Sequence, residues 1–136
     1  MQFTPPVISA LTAGILIVMQ MVLLSAVARA RRRDRQSLGD GGNRGLLMAI
    51  RRHGNLAENA ALFVIGFALL EMSGANPIGL AIMCLAFVLA RISHAVGLSM
   101  KNTVNSFRVL GTTATVIVGI VLGVELVRFA IRQLLA

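Results

Sequence analysis

Arg51-Arg52-His53-Gly54-Asn55-Leu56-Ala57-Glu58-Asn59 runs without a break into the apolar stretch Ala60 to Leu70. On a helix, Arg51, Asn55 and Glu58 are spaced i, i+4, i+7 and fall on one face. A carboxylate and an amide carried this far into an apolar segment are unfavourable without partners, and such residues mark a functional site by default. The remainder of the chain can be searched for those partners.

The composition makes the surroundings a membrane. Of 136 residues, 57% are hydrophobic. The mean hydropathy is +0.83, well above that of a soluble domain. The formal net charge is +8. In a soluble chain that excess would suggest nucleic acid, but no aromatic residue interleaves the basic run, so we expect no nucleic-acid partner. The arginines instead crowd at the ends of apolar segments, as topology determinants and head-group contacts do. There is no Trp and no Tyr, so an aromatic belt is missing and arginine takes over the anchoring. Cys84 is the single cysteine. It excludes a disulfide framework within the chain and a cysteine metal cluster, and reads as a small packed side chain. The two histidines, His53 and His94, do not form an i, i+4 pair, and no carboxylate stands beside His94; we expect no metal site.

Residues 5–28 carry no charge, and at ~1.5 Å per residue they span a ~30 Å hydrocarbon core. A basic loop over 29–44 follows, with six Arg against Asp34 and Asp40. The positive-inside rule places it in the cytoplasm and both termini on the opposite side of the inner membrane. Gly74-Ala75-Asn76-Pro77 is a turn, and Pro77 suits the first position of a helix. The reading is an all-α integral membrane protein with one domain over 1–136. Its four transmembrane helices span about 5–29, 45–73, 77–98 and 105–133. Short loops pack them as an antiparallel bundle.

Depth along these helices suggests who meets whom. Glu58 lies ~20 Å along the second helix and Arg91 ~15 Å along the third, counted from the cytoplasmic ends. The pattern therefore predicts a Glu58–Arg91 contact. Arg91 and His94 are i, i+3 and share a face. Arg51, Asn55, His94 and Arg108 all fall in the cytoplasmic half, on three helices. Each has a structural explanation alone: Arg51 and Arg52 snorkelling to head groups, His94 bonding a backbone carbonyl, Arg108 anchoring a helix end. Together they imply a cationic cleft open to the cytoplasm. It suits a ligand with carboxylates and a thiolate, plus a lipophile entering from the bilayer. His53 points to the other side of its helix from Asn55, toward lipid or, in an oligomer, a second subunit.

Three stretches, in order, resemble the MAPEG family (membrane-associated proteins in eicosanoid and glutathione metabolism). They are Arg51-x-His53-x-Asn55-x-x-Glu58 with the Gly74-Ala75-Asn76-Pro77 turn, Ala90-Arg91-x-x-His94-x-x-Gly97, and Phe107-Arg108. Together they cover roughly residues 45–125, most of the chain. The resemblance implies a bacterial-type member that forms a homotrimer, with glutathione as co-substrate bound between subunits near the cytoplasmic face. It places Arg51, His53, Asn55, Glu58 and His94 around the tripeptide, Arg91 in support of Glu58, and Arg108 beside the sulfur as the catalytic group. A further arginine from the end of the first helix is implied, Arg29 or Arg31 being nearest. The implied activity is that of a transferase or peroxidase acting on lipophilic electrophiles. Leu98 stands where many members carry Tyr, Val109 where some synthases carry Ser, and Gly54 where some relatives carry Arg. These departures point away from prostaglandin-synthase-like isomerase chemistry. They keep open the alternative of a non-catalytic lipid- or partner-binding member. A four-helix multidrug exporter would need a membrane Glu in the first helix, and that helix has none.

Overall fold

The computed structural model describes residues 5–102 and 104–136. The start of the 1–136 domain, residues 1–4, and Thr103 of the third inter-helix loop lie outside that range. The elements are α1 (Val7–Asp34), α2 (Arg44–Met72), α3 (Pro77–Gly97) and α4 (Ser106–Leu134). Each is long and apolar enough to cross a membrane.

Three helices begin on an asparagine. Asn43, Asn76 and Asn105 accept hydrogen bonds from the backbone N–H groups of Gly45 and Leu46, Gly79 and Arg108, respectively. Such caps satisfy donors that a helix start leaves open. α1 begins after Pro6 and has no side-chain cap of its own. Its first-turn donors are met from the far end of α2. The Glu71 carboxylate accepts from Ile8 N–H (2.9 Å), Ser9 N–H (2.8 Å) and the Ser9 hydroxyl (2.6 Å). An acid at a helix N-terminus also opposes the positive end of its dipole.

α1 outlasts its charge-free span and continues through Arg29 to Asp34, so part of the sequence expected to be loop is helix. Arginine is a good helix former, and Arg31, Arg32 and Arg33 in the last turn complement the dipole's negative end. The helix stops at Arg35, whose φ of 51° is left-handed. Arg31 then ties the loop down, donating to the carbonyls of Gln36 (3.2 Å), Ser37 (3.0 Å) and Gly39 (3.0 Å).

α1 packs chiefly on α2, and α3 on α4, with α2 and α3 bridging the two pairs. The core contains Leu16, Leu56, Leu80 and Cys84 around three phenylalanines. Phe63 and Phe87 stack at 4.0 Å between centroids, and Phe67 meets both edge-on. α3 and α4 touch backbone to backbone at two glycines. A Cβ on Gly111 would lie 2.6 Å from the Ala90 carbonyl oxygen, and one on Gly97 would lie 2.7 Å from the Arg108 nitrogen. Close approach of this kind is how apolar helices associate in lipid, where packing replaces the hydrophobic effect. It also sets Arg91 and His94 directly against the start of α4.

Candidate functional site

At the end of the bundle where α2 and α4 begin, α3 contributes two deeply buried polar side chains. Arg91 is 3% and His94 is 7% exposed. A guanidinium at such a position needs acceptors. Arg91 Nη1 donates to the Asn55 side-chain oxygen at 2.7 Å, and Nη2 to the Gly111 carbonyl at 3.2 Å and to the Thr115 hydroxyl. Thr115 in turn donates to the Gly111 carbonyl at 2.7 Å. The Phe87 ring, 5.7 Å from the guanidinium carbon, adds a cation–π contact. One fork therefore ties α2, α3 and α4 together.

This corrects the expected Glu58–Arg91 pair. Asn55, one turn earlier on α2, takes the guanidinium, because Arg91 extends toward the α4 backbone opened by Gly111 rather than across α2. Glu58 is exposed in the single chain, and no hydrogen bond or ion pair engages its carboxylate among the described residues. The support that sequence reasoning assigned to Glu58 thus belongs to Asn55. With its oxygen held by Arg91, the Asn55 amide presents its nitrogen as a donor.

The remaining cations converge on the same end. His94 packs against the α4 backbone at Gly111, and the Arg108 backbone packs on Gly97, one turn beyond His94. Arg108 occupies the first turn of α4, its N–H received by Asn105 Oδ1 at 3.0 Å. Asn105 also donates to the Gly97 carbonyl at 2.8 Å, and the Ser93 hydroxyl donates to the Phe107 carbonyl at 2.8 Å. The loop into α4 is thereby fastened to the end of α3, which fixes where Arg108 starts. Its guanidinium and the positive end of the α4 dipole act in the same sense on any anion brought there. Arg51 is exposed and His53 half-buried on α2. Leu98 is 5% exposed, so the position where many relatives carry Tyr is packed and apolar here. Of the two α1 candidates, Arg31 is engaged in its own loop, while Arg29 lines a cleft between α1 and α2.

Thr115 and Gly111 were not singled out from sequence. A threonine and a glycine four apart on an apolar helix, level with a buried arginine on the preceding helix, are the signal that would have found them. An apolar groove of about 300 Å³ lies a little deeper in the bundle, where Ala13, Ile17 and Gln20 of α1 face Ala57, Ala61 and Val64 of α2.

Neither a curated protein nor a solved structure matches the chain. A family model does, over residues 9–128, a range that contains the Asn55–Arg91–Thr115 fork, His94 and Arg108. With four membrane-spanning helices and that match, the chain is a multi-pass integral membrane protein and belongs to the MAPEG family.

Proposed function

We propose that the protein is a glutathione-dependent transferase or peroxidase for lipophilic electrophiles, working as a homotrimer with the α1–α2 loop in the cytoplasm. The observation that carries this reading is the burial of Arg91 and His94 on α3 against the start of α4, where the Arg108 backbone packs on Gly97, with the Asn55 amide fixed beside them. A site rich in guanidinium groups calls for an anion, and glutathione brings two carboxylates and an ionisable thiol. Arg51, His94 and the Asn55 amide hold the carboxylates. The Glu58 carboxylate receives the tripeptide's ammonium group. His53, on another side of α2, faces the neighbouring subunit. Arg91 acts through Asn55.

A thiol is a weak nucleophile until ionised. Arg108, in the first turn of α4, stabilises the thiolate. The thiolate attacks the electrophilic carbon of the lipophile and expels its leaving group. With a lipid hydroperoxide it attacks the distal peroxide oxygen; the O–O bond breaks, the alkoxide takes a proton and leaves as the alcohol, and a second glutathione displaces water from the resulting sulfenic acid to give the disulfide. The groove between Ala13, Ile17, Ala57 and Ala61 gives a lipophile a path from the bilayer. No protein nucleophile is required.

Titration of the detergent-solubilised oligomer with glutathione tests this. Rising thiolate absorbance and conjugation of a chlorinated nitrobenzene are the expected results; neither, from an intact oligomer, rejects the reading. The buried Leu98 favours the second reading, a lipid- or partner-binding member without catalysis, and that is what such a negative result would leave standing.

A further inference from the structure

Two adjacent arginines near the start of α2 are engaged differently. Arg51 and Arg52 diverge by about 100° around the helix; Arg51 is exposed and Arg52 half-buried. Arg52 does not reach for head groups. It turns toward the end of α3, where its Nη1 donates to the Ser99 hydroxyl oxygen at 2.7 Å and its Nε to the Met48 carbonyl at 3.3 Å. The Ser99 hydroxyl itself donates to the Ala95 carbonyl at 3.0 Å, so its oxygen faces Arg52 as an acceptor. About two turns earlier, Arg44 donates to the Lys101 carbonyl. The start of α2 thus grips the 98–105 link between α3 and α4 at two points.

Asn105 grips the same link from its other end. Its amide nitrogen donates to the Gly97 carbonyl at 2.8 Å and to the Asn102 carbonyl at 2.7 Å, while its oxygen accepts from Arg108 N–H at 3.0 Å. Capping requires only the last of these bonds. Asn43 and Asn76, which cap α2 and α3, bond through their oxygens alone among the described residues. Asn105 therefore does more than start a helix. Gly97 closes the joint: a Cβ there would lie 2.9 Å from both the Arg108 Cβ and the Asn105 Oδ1. We propose that Asn105 and Arg52 are positioning residues which, through the α3–α4 link, hold the Arg108 guanidinium at a set distance from Arg51 and Asn55. The proposal rests on the glutathione reading above. A tripeptide whose carboxylates are held from α2 brings its sulfur to a limited region, and a guanidinium displaced from there stabilises less thiolate. Arg108 stands in a first helical turn, the part of a helix that frays most readily, so its place has to be fixed from outside.

The test is thiolate absorbance of the glutathione-loaded, detergent-solubilised oligomer against pH, with conjugation kinetics alongside. Asn105→Ala and Ser99→Ala each remove a tie without altering any charge. In both, the half-point of thiolate absorbance should move to higher pH. In both, kcat should fall about tenfold, the guanidinium being misplaced rather than lost, with KM little changed because Arg51 and Asn55 still hold the carboxylates. Asn105→Ser retains a cap but is too short to reach Gly97; it should recover thermal stability and not the thiolate. Asn76→Ala, the matching loss of a cap at the opposite end of the bundle, should lower thermal stability as much as Asn105→Ala and leave thiolate and kcat unchanged. An unmoved half-point in Asn105→Ala and Ser99→Ala, or an equal shift in Asn76→Ala, overturns the positioning role and leaves the glutathione reading intact. Recovery of the thiolate in Asn105→Ser reduces Asn105 to a cap and overturns it as well. Absence of thiolate from the unaltered protein overturns both.

Discussion

α2 carries two acids inside the bundle region, and they live differently. Glu71, near its end, accepts three hydrogen bonds from the start of α1. Glu58, midway along it and one turn beyond Asn55, engages no group among the described residues. The first end is complete within one chain: the acid supplies the cap that Pro6 cannot, and the contact joins α1 to α2. The other end is complete only in its rear wall, the Arg91–Asn55–Thr115 fork. Its front wall, Arg51 and Glu58, is presented outward. An acid without a partner on an apolar helix calls for something outside the chain, either ligand or second subunit. An acid that is already saturated calls for nothing.

The sharpest way to break this contrast is at the cationic end. Arg108→Ala should lower kcat for conjugation by about 10²–10³-fold, as loss of one preorganised charge stabiliser does, while the oligomer stays assembled. Stopped-flow thiolate absorbance and steady-state conjugation read it directly. Unchanged kcat would mean that the cationic end does not ionise the thiol.

The next effect is structural and belongs to the other end. Glu71→Ala leaves Ile8 N–H, Ser9 N–H and the Ser9 hydroxyl without their acceptor. Bonds to an ionised group are strong, but water at the membrane edge replaces part of them, so the loss should be about 1–2 kcal/mol. Thermal unfolding in detergent should show it, with glutathione affinity unaffected. If Glu71→Ala instead weakened thiol binding as much as stability, the two ends would not be independent.

Arg91→Met sharpens the comparison from inside the fork. Removing a buried charge offsets the loss of its hydrogen bonds, so stability should shift by about 1 kcal/mol or less. The Asn55 amide, no longer held, should bind glutathione about tenfold more weakly, since one well-placed polar contact is worth about that much. A KM that rises with kcat little changed is the signature of a positioning role. A chain that fails to fold at all would show that Arg91 is chiefly a structural clamp.

Much of this was legible in the sequence. The charge-free runs and the turn at Asn76-Pro77 fixed the helix number, because lipid admits few alternatives for a spanning backbone. Residues Arg91, His94 and Arg108 were readable as a cluster since chain order and helix pitch alone bring them level. What was hidden depended on direction rather than depth. Glu58 and Arg91 are at similar height, but Arg91 leans toward α4, where Gly111 opens a path that no depth count registers. Glu71 looked unremarkable because its donors come from the other end of the chain, where Pro6 removes the usual cap. The helical extension to Asp34 was missed because a run of arginines marks a membrane boundary, not a helix boundary.

The smallest expected effect is also the one that discriminates most. Glu58→Ala should change the unfolding free energy of the isolated chain by less than about 0.5 kcal/mol, as exposed substitutions without contacts do. Its stability would then be unlike that of Glu71→Ala under identical conditions, although both remove one carboxylate from one helix. Glutathione affinity, in contrast, should fall about tenfold, because an ammonium group brought into a low-dielectric site loses its counter-charge. A Glu58→Ala chain as destabilised as Glu71→Ala would place a partner for Glu58 within the same subunit. The cationic end would then be finished before any ligand or neighbour arrives, and the contrast between the two ends of α2 would disappear.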